Sequence, residues 1–289
     1  MKIGTRGSQL ARWQAEWVRS RLGQAAEIVV ITTQGDADVD RPLHELEGKG
    51  FFTKEIEEAL LDGRIDIAVH SLKDLPTSLP EGLALAAIPK RHDPRESLVG
   101  GQSLAALPPG TRIGTSSLRR IAQVRFMRPD LEVVPLRGNV PTRVRKVEQR
   151  EGLDAALLAI AGLERLELGN KANVVDPFDV MPAPGQGALG IEIRARDSAT
   201  KHALASLHDA ESAAAVRAER SLLAALGGGC QAPIAAWVDG ARLYGRGTER
   251  DGAAQLTASA NIDESAPEKA GAAVARLLEH QGAASLLAR

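Results

Sequence analysis

The hydrophobic and polar positions of the first two thirds of the chain follow two alternating periods. Short apolar runs bounded by polar residues predict strands, and longer runs with apolar residues three and four positions apart predict helices. The predicted strands cover residues 27–33, 66–70, 112–115, 132–136, 155–158 and 188–193, and one helix covers residues 52–62. This alternation is typical of an α/β fold with a parallel sheet.

The pattern restarts after residues 89–94, so we predict two similar α/β lobes around a hinged cleft, with the strand at 188–193 returning to the first lobe. From about His208 the character changes to a long helix over 212–226, a glycine run, short strands and a helix over 267–278. The turns Asp239-Gly240 and Asp251-Gly252 are typical of hairpins. We therefore expect domain 1 at 1–90 and 188–206, domain 2 at 91–187, and a small α+β domain 3 at 207–289.

The amino-acid composition argues against several classes of protein. The 289 residues carry a net charge of -1 and 3% aromatic residues, too few for a base-stacking surface of the kind that binds single-stranded nucleic acid. The chain has one cysteine, so it forms no internal disulfide, and no apolar run approaches the length of a signal peptide or a membrane span. We expect a soluble cytoplasmic protein. No motif has metal-ligand spacing, and we predict no metal site.

Basic residues concentrate at the ends of two predicted strands in the middle of the chain. Thr115-Ser116-Ser117 ends one strand with Arg119 and Arg120 behind it, and Arg137-Gly138-Asn139 ends the next with Arg143 one turn later. Ligands bind beyond the carboxyl ends of strands in open α/β sheets, and arginine grips carboxylates or phosphates bidentately. One such turn alone is explained as well by a serine that caps a helix and arginines in solvent. Two turns together favour an anion site.

The first lobe contributes an acid. Asp74 follows a predicted strand, next to Lys73, and a carboxylate there can move protons or stabilise a cation, although a helix cap or an ion pair explains it equally well. His70 is more typical of a buried histidine than of a catalyst. The Gly48-Lys49-Gly50 loop lacks the full phosphate-loop pattern, and we interpret it as a mobile lid.

The only cysteine, Cys230, ends the run Gly227-Gly228-Gly229. A structural cysteine usually lies inside an apolar element, whereas glycines leave room for a bulky group on the sulfur. We interpret Cys230 as an attachment point.

Five strings, in order, carry a family resemblance: VHSLKDLP at 69–76, GTSSLRR at 114–120, LRGNV at 136–140, GQGA at 185–188 and GGCQ at 228–231. They closely resemble the hydroxymethylbilane synthases, also called porphobilinogen deaminases. The resemblance implies two lobes of the type II periplasmic-binding-protein kind around a cleft, plus a small α+β C-terminal domain. It implies a dipyrromethane cofactor held by Cys230 as a thioether. It also implies a transferase of porphyrin (heme) biosynthesis that condenses four porphobilinogen molecules head to tail with loss of ammonia, then releases 1-hydroxymethylbilane by hydrolysis.

The same resemblance assigns site residues. Asp74 would be catalytic. The cofactor would be bound by Cys230, Ser71, Lys73, Asp74, Thr115, Ser117, Arg119, Arg120, Arg137 and Gly138. The substrate would be bound by Arg6, Gln14, Phe52, Arg143, Arg165 and Gln186, and Lys49 would lie in the lid. Glu45 and Glu47 depart from the family, which commonly has a lysine and a small residue there. The resemblance further implies a monomer that binds neither nucleic acid nor membrane and passes its product to uroporphyrinogen-III synthase.

Three other classes of protein share some of these features. A type II solute-binding or ligand-sensing protein for a small polycarboxylate would share the two lobes but needs neither Cys230 nor Asp74. A nucleic-acid binder would place its arginines along an exposed face with lysines and aromatic residues. A cysteine hydrolase would require a histidine base, and nothing in the sequence pairs one with Cys230.

Overall fold

The computed structural model describes residues 1–37, 51–228 and 232–288. The chain forms two compact units. The first contains Met1–His92 and Gly187–Ala213, and the second contains Asp93–Gln186 and Ala214–Arg289. The chain thus leaves the first unit after His92, returns to it at Gly187 and leaves it again after Ala213. The finer division into three domains, with the boundaries given above, stays a prediction.

Five strands form the sheet of the first unit: β1 (Lys2–Thr5), β2 (Glu27–Val30), β3 (Ile67–Ser71), β4 (Leu83–Ala87) and β10 (Leu189–Arg194). Their order is β2-β1-β3-β10-β4. Strand β1 is parallel to β2 and β3, whereas β10 is antiparallel to both β3 and β4. The prediction of a parallel sheet is therefore wrong for β10, because this strand enters the sheet from the opposite direction after the chain returns.

Five strands of the second unit repeat this plan: β5 (Glu96–Val99), β6 (Arg112–Gly114), β7 (Glu132–Val134), β8 (Ala155–Ala159) and β9 (Ala172–Val174). Their order is β7-β6-β8-β5-β9. Here β6 is parallel to β7 and β8, and β5 is antiparallel to β8 and β9. The repeated plan, with one antiparallel strand in the fourth position of each sheet, confirms two similar lobes of the type II periplasmic-binding-protein kind.

Helices cover these two sheets: α1 (Gln9–Arg19), α2 (Gln34–Ala37), α3 (Lys54–Leu61), α4 (Leu118–Met127), α5 (Val140–Glu148), α6 (Ile160–Glu164) and α7 (Ser198–Leu204). Short 3-10 helices cover Leu72–Asp74, Gly169–Lys171 and Ala205–Leu207. Helix α1 shows why such segments are helical. Ser8 caps it by accepting a hydrogen bond from the Ala11 N–H, and Ala11, Gln14, Ala15 and Val18 form one buried face.

The C-terminal part contains α8 (Ala210–Ala225), the antiparallel strands β11 (Ile234–Asp239), β12 (Arg242–Thr248) and β13 (Gln255–Asn261), then α9 (Pro267–His280) and α10 (Ala283–Ala288). Its core includes Leu222, Leu243, Val274 and Leu278. These elements match the predicted helix, hairpins and second helix. No helix in the described ranges is both long enough and apolar enough to cross a membrane.

Candidate functional site

Polar residues of the first unit gather at one edge of its sheet. Arg6 follows β1, and Ser71 ends β3. Because β1 and β3 are parallel neighbours, their carboxyl ends lie at the same edge. Gln14, buried on α1, reaches this edge and donates a 2.7 Å hydrogen bond from Nε2 to Ser71 Oγ. The structure therefore brings together two residues that were predicted separately, one for the substrate and one for the cofactor.

Arg6 and Phe52 also meet. The Arg6 Cζ atom lies 4.1 Å from the centre of the Phe52 ring, which is cation–π distance. Phe52 is half-buried just before α3 and its cap residue Thr53. This contact orients the Arg6 guanidinium over an aromatic face and gives Phe52 a role besides core packing.

Lys73 and Asp74 are placed by a 3-10 helix that follows β3 directly. Leu72 and Leu75 are buried, and the Leu72 N–H donates to the Ala188 carbonyl at 3.0 Å. The Leu75 N–H closes the turn on the Leu72 carbonyl at 3.2 Å. With these two leucines inside, Lys73 and Asp74 are left half-buried. The turn presents a cation and an anion side by side at the end of β3.

A buried group of titratable residues lies in the same unit. His70 Nε2 is 3.2 Å from Glu192 Oε2, and both side chains are almost fully buried. Glu57 on α3 is also buried, and burial, followed by the negative charge of Glu192, raises its pKa above the ordinary value. The prediction that His70 is a buried histidine is confirmed.

In the second unit, Ser116 joins the two arginine-bearing turns. Its Oγ donates to the Leu136 carbonyl at 3.0 Å and accepts from the Leu136 N–H at 3.1 Å. Thr115 Oγ1 accepts from the Ser117 N–H at 3.2 Å, and Ser117 precedes α4 without a capping bond from its own side chain. The open alternative of a simple serine cap is therefore wrong for Ser116, which connects the ends of β6 and β7.

The second turn, after β7, is held by the N-cap residue of α5 and by one arginine of that helix. Arg143 donates from Nε to the Gly138 carbonyl at 2.7 Å, and Asn139 Oδ1 accepts from the Thr142 N–H at 2.9 Å. Gly138 has φ +110, and a Cβ there would lie 2.8 Å from Thr142 Cγ2. Only glycine fits this backbone. Arg137 beside it is half-buried.

Arg119 and Arg120 share one counter-ion that the sequence reasoning missed. Glu96, at the start of β5, accepts from Arg119 Nη2 at 2.6 Å and from Arg120 Nη2 at 2.8 Å. Arg119 also donates from Nη1 to the Met181 carbonyl at 2.6 Å. Burial lowers the pKa of Arg119, Glu96 opposes that change, and Arg120 adds to it. In the sequence, the one sign of this role is that Glu96 begins the short strand-like segment ESLV at 96–99.

Arg165 and Gln186 are the two remaining predicted substrate residues. Arg165 is the C-cap residue of α6 and is 5% exposed, and burial lowers its pKa to about 10. Gln186 is fully buried and donates from Nε2 to the Pro94 carbonyl at 2.8 Å. The structure thus gives the Gln186 amide a main-chain partner, and substrate contact by this residue stays a prediction.

Cys230 and Lys49 lie outside the described residues, as do Glu45 and Glu47. The glycine run before Cys230 is described up to Gly228. A Cβ at Gly228 would lie 2.6 Å from Ile234 Cδ1 and 2.7 Å from Leu223 Cδ1. Space for a ligand does not explain this glycine, which is required by close packing against two core side chains. Across residues 1–37, 51–228 and 232–288, no group of three or more His, Cys, Asp and Glu side chains is placed to hold a metal ion.

Comparison with known proteins gives matches along the whole chain. The family described as "Porphobilinogen deaminase, dipyromethane cofactor binding domain" matches residues 1–202, and "Porphobilinogen deaminase, C-terminal domain" matches residues 213–280. The porphobilinogen deaminases of Syntrophotalea carbinolica and Moorella thermoacetica are each 50% identical to the chain. The first alignment covers 100% of this chain and 95% of the relative, and the second covers 99% and 95%.

Among solved structures, a putative methionine-binding lipoprotein from Bacillus subtilis matches with a TM-score of 0.42 and 15% identity, covering 73% of this chain and 91% of that one. The family matches span both the sheet edge with Asp74 and the sheet edge with the paired arginines. The chain belongs to the porphobilinogen deaminase family.

Proposed function

We propose that this chain performs the hydroxymethylbilane synthase reaction of its family with Asp74 as the catalytic residue and Cys230 as the attachment residue for dipyrromethane. As a porphobilinogen deaminase, it is a transferase of tetrapyrrole biosynthesis that acts on porphobilinogen and uses the dipyrromethane cofactor. The solute-binding alternative is not favoured, since the relatives that match the chain from end to end are porphobilinogen deaminases.

The observation that carries the proposal is the cationic edge of the second sheet, where Ser116 ties the two arginine-bearing turns together. Each pyrrole of the substrate bears two carboxylates, so the cofactor with four added units carries about twelve. The proposed ligands for these groups are arginines assisted by hydroxyls and one main-chain N–H: Arg6, Arg119, Arg120, Arg137, Arg143 and Arg165, with Thr115, Ser117, Ser71 and Gly138.

The residues present fit a polycarboxylate cofactor. The Nε of Arg120 is buried and has no hydrogen-bond partner among the described residues, although burial of an unsatisfied donor is costly. A ligand carboxylate would satisfy it. When bound, dipyrromethane supplies the pyrrole end that is extended. Lys73 beside Asp74 supplies a further cation for its carboxylates.

Asp74 has the chemistry that the reaction demands. Loss of ammonia from porphobilinogen requires a proton for the leaving amine and generates positive charge on the pyrrole. A carboxylate beside the ring stabilises that charge, and its protonated form delivers the proton. Coupling then releases a ring proton, which the same carboxylate accepts. Gln14 would orient Ser71 next to it, and Phe52, Gln186 and Lys49 complete the proposed substrate contacts.

Cys230 would hold the growing chain without being consumed. Its sulfur would hold the cofactor through a single thioether bond, which would leave the other end of the cofactor free for the addition of units and for hydrolytic release of the product. We propose that the chain works as a cytoplasmic monomer without nucleic acid. Its product has a reactive hydroxymethyl end, which is consistent with transfer to a uroporphyrinogen-III synthase.

Intact-mass spectrometry tests the attachment. The wild-type protein is expected to carry an adduct with the mass of a dipyrromethane, and Cys230→Ser is expected to carry none and to release no ammonia from porphobilinogen. A wild-type protein of unmodified mass that is fully active would refute the attachment role.

A further inference from the structure

Glu96 holds two arginines with one carboxylate. It is the first residue of β5 and fully buried, and its two oxygens bind different partners. Oε1 accepts from Arg119 Nη2 at 2.6 Å, and Oε2 accepts from Arg120 Nη2 at 2.8 Å. Carboxylate–guanidinium bonds of this length are strong and directional. The rotamers of both arginines are therefore set by a residue on a different element.

The two arginines need such a counter-ion. They are consecutive residues in the first turn of α4, where the helix dipole already places positive charge, and each is 6% exposed. Two guanidiniums so close and so poorly hydrated repel each other. Glu96 leaves the group of three side chains with a single net positive charge. Glu96 thus compensates one of the two buried positive charges, and the remaining positive charge attracts a ligand carboxylate.

A second set of contacts fixes the same helix turn. The Gln123 side chain donates to the Met181 carbonyl at 3.1 Å and accepts from the Met181 N–H at 2.8 Å. Arg119 Nη1 donates to that same carbonyl at 2.6 Å. Arg119 is thereby held at both terminal nitrogens. Arg120 is held by Glu96 at Nη2, while its buried Nε has no hydrogen-bond partner within the described ranges.

We propose that Glu96 is a positioning residue for dipyrromethane and porphobilinogen: it orients Arg119 and Arg120 so that their remaining donors meet ligand carboxylates. This proposal rests on the ligand-binding roles of the two arginines given under "Proposed function". Glu96 binds one arginine with each carboxylate oxygen and is proposed to act through them. It would hold the two guanidinium groups in fixed positions on one side of the site.

The test compares four variants. Glu96→Gln keeps the shape and removes the charge, and Glu96→Asp keeps the charge on a shorter side chain. Arg120→Gln tests the ligand role directly. Asp154→Asn is the matched control, because Asp154 also pairs with an arginine, Arg112 at 3.1 Å, before the start of β8 and away from the carboxyl ends of the strands. For each, intact mass gives the loaded fraction, kinetics give KM and kcat, and thermal unfolding gives Tm.

We expect Glu96→Gln to lower the loaded fraction and to raise KM of the loaded protein by about tenfold or more, the change expected when a charge-assisted contact is misaligned. Glu96→Asp should recover part of both. Asp154→Asn should match the wild type in loading and KM. If Glu96→Gln does not fold, the KM of Glu96→Asp decides: a raised KM at similar kcat supports positioning, and an unchanged KM overturns it.

Two other results would overturn the proposal, and each leads to a different conclusion about Glu96 and Arg120. In the first, Glu96→Gln lowers Tm but has normal loading and normal KM, while Arg120→Gln loads poorly. Glu96 would then be a stabilising residue only. Normal loading and KM in both Glu96→Gln and Arg120→Gln removes the ligand role of the arginine as well, and with it the proposed binding site on α4.

Discussion

The Nε2 atom of Gln14 donates a 2.7 Å hydrogen bond to the Oγ atom of Ser71. This bond connects α1 to the end of β3, three residues before Asp74. Gln14 is 1% exposed, so little water reaches its amide to compete with the Ser71 hydroxyl for the hydrogen bond. The pair fixes the hydroxyl at the sheet edge where the first unit gathers its site residues.

Loss of this bond should weaken ligand binding modestly. A buried neutral hydrogen bond contributes about 1 kcal/mol, so Gln14→Met and Ser71→Ala are each expected to raise KM roughly fivefold. The double variant should be little worse than either single variant, because both remove the same contact. Full additivity of the two effects would mean that each residue contacts the ligand independently.

Asp74→Asn should keep the cofactor and lose turnover. The amide preserves the shape of the turn but neither carries charge nor accepts a ring proton, so kcat is expected to fall at least about 100-fold while the adduct mass is retained. Single-turnover release of ammonia checks the step affected.

The matched control for that variant is Asp66→Asn, at the other end of the same strand. Asp66 accepts from the Lys2 N–H at 2.9 Å and from Arg194 Nη2 at 3.1 Å. Its loss should lower Tm and leave kcat near the wild-type value. Near-normal turnover of Asp74→Asn would remove Asp74 from the catalytic role.

Glu57 should make the stability of the protein depend on pH. Burial raises its pKa above the ordinary 4.5, so the folded state holds the proton more tightly than the unfolded state does. The stabilisation from the protonated form is complete below pH 4.5 and is lost as the pH rises through the folded-state pKa. Glu57→Gln is therefore expected to raise Tm by roughly 2–4 °C at pH 7.5, with the gain vanishing near pH 4.

Thermal unfolding of the wild type and of Glu57→Gln, measured side by side from pH 4 to pH 7.5, checks this prediction. A gain for Glu57→Gln that is the same at every pH would contradict a titrating Glu57.

Two buried arginines with similar electrostatics should respond differently to substitution. Burial lowers the pKa of both Arg165 and Arg246 to about 10, so each is still charged at neutral pH. Arg246 donates to Gln123 Oε1 at 2.9 Å and to the Phe178 carbonyl at 2.9 Å. Arg246→Met should therefore lower Tm by removing these two buried hydrogen bonds, with KM unchanged.

Arg165→Met should differ if Arg165 binds a substrate carboxylate: KM is then expected to rise about tenfold, the value of one charged hydrogen bond. The same kinetic and unfolding measurements on both variants separate the two roles. Equal KM values for the two variants would assign Arg165 to the structure instead of the site.

The sequence predicted the regular elements well where one pattern dominated. The strand predicted at 155–158 is observed as Ala155–Ala159, and the helix predicted at 267–278 is observed as Pro267–His280. The antiparallel direction of β5 and β10 escaped prediction, because strand direction depends on where the chain comes from and not on side-chain alternation.

The site was predicted as a set of residues, but its internal contacts were not. Arg119 and Arg120 were identified as anion ligands, yet Glu96 lies more than twenty residues earlier in the chain and has no local pattern to connect it to them. Ser116 was ambiguous for a related reason: a hydroxyl before a helix predicts a cap, and only the neighbouring strand reveals the bond to Leu136. Contacts of this kind are set by tertiary structure and are not visible in spacing.

The strand in the fourth position of each sheet also determines when that sheet can be completed during synthesis of the chain. All strands of the second sheet lie between Glu96 and Val174, whereas β3 and β4 of the first sheet become neighbours of a common partner only when β10 has been synthesised up to Arg194. Until then β3 exposes an edge that β10 covers in the folded sheet, and an exposed strand edge is prone to pairing with other chains. On the ribosome, the sheet that begins later is the one that can be completed first.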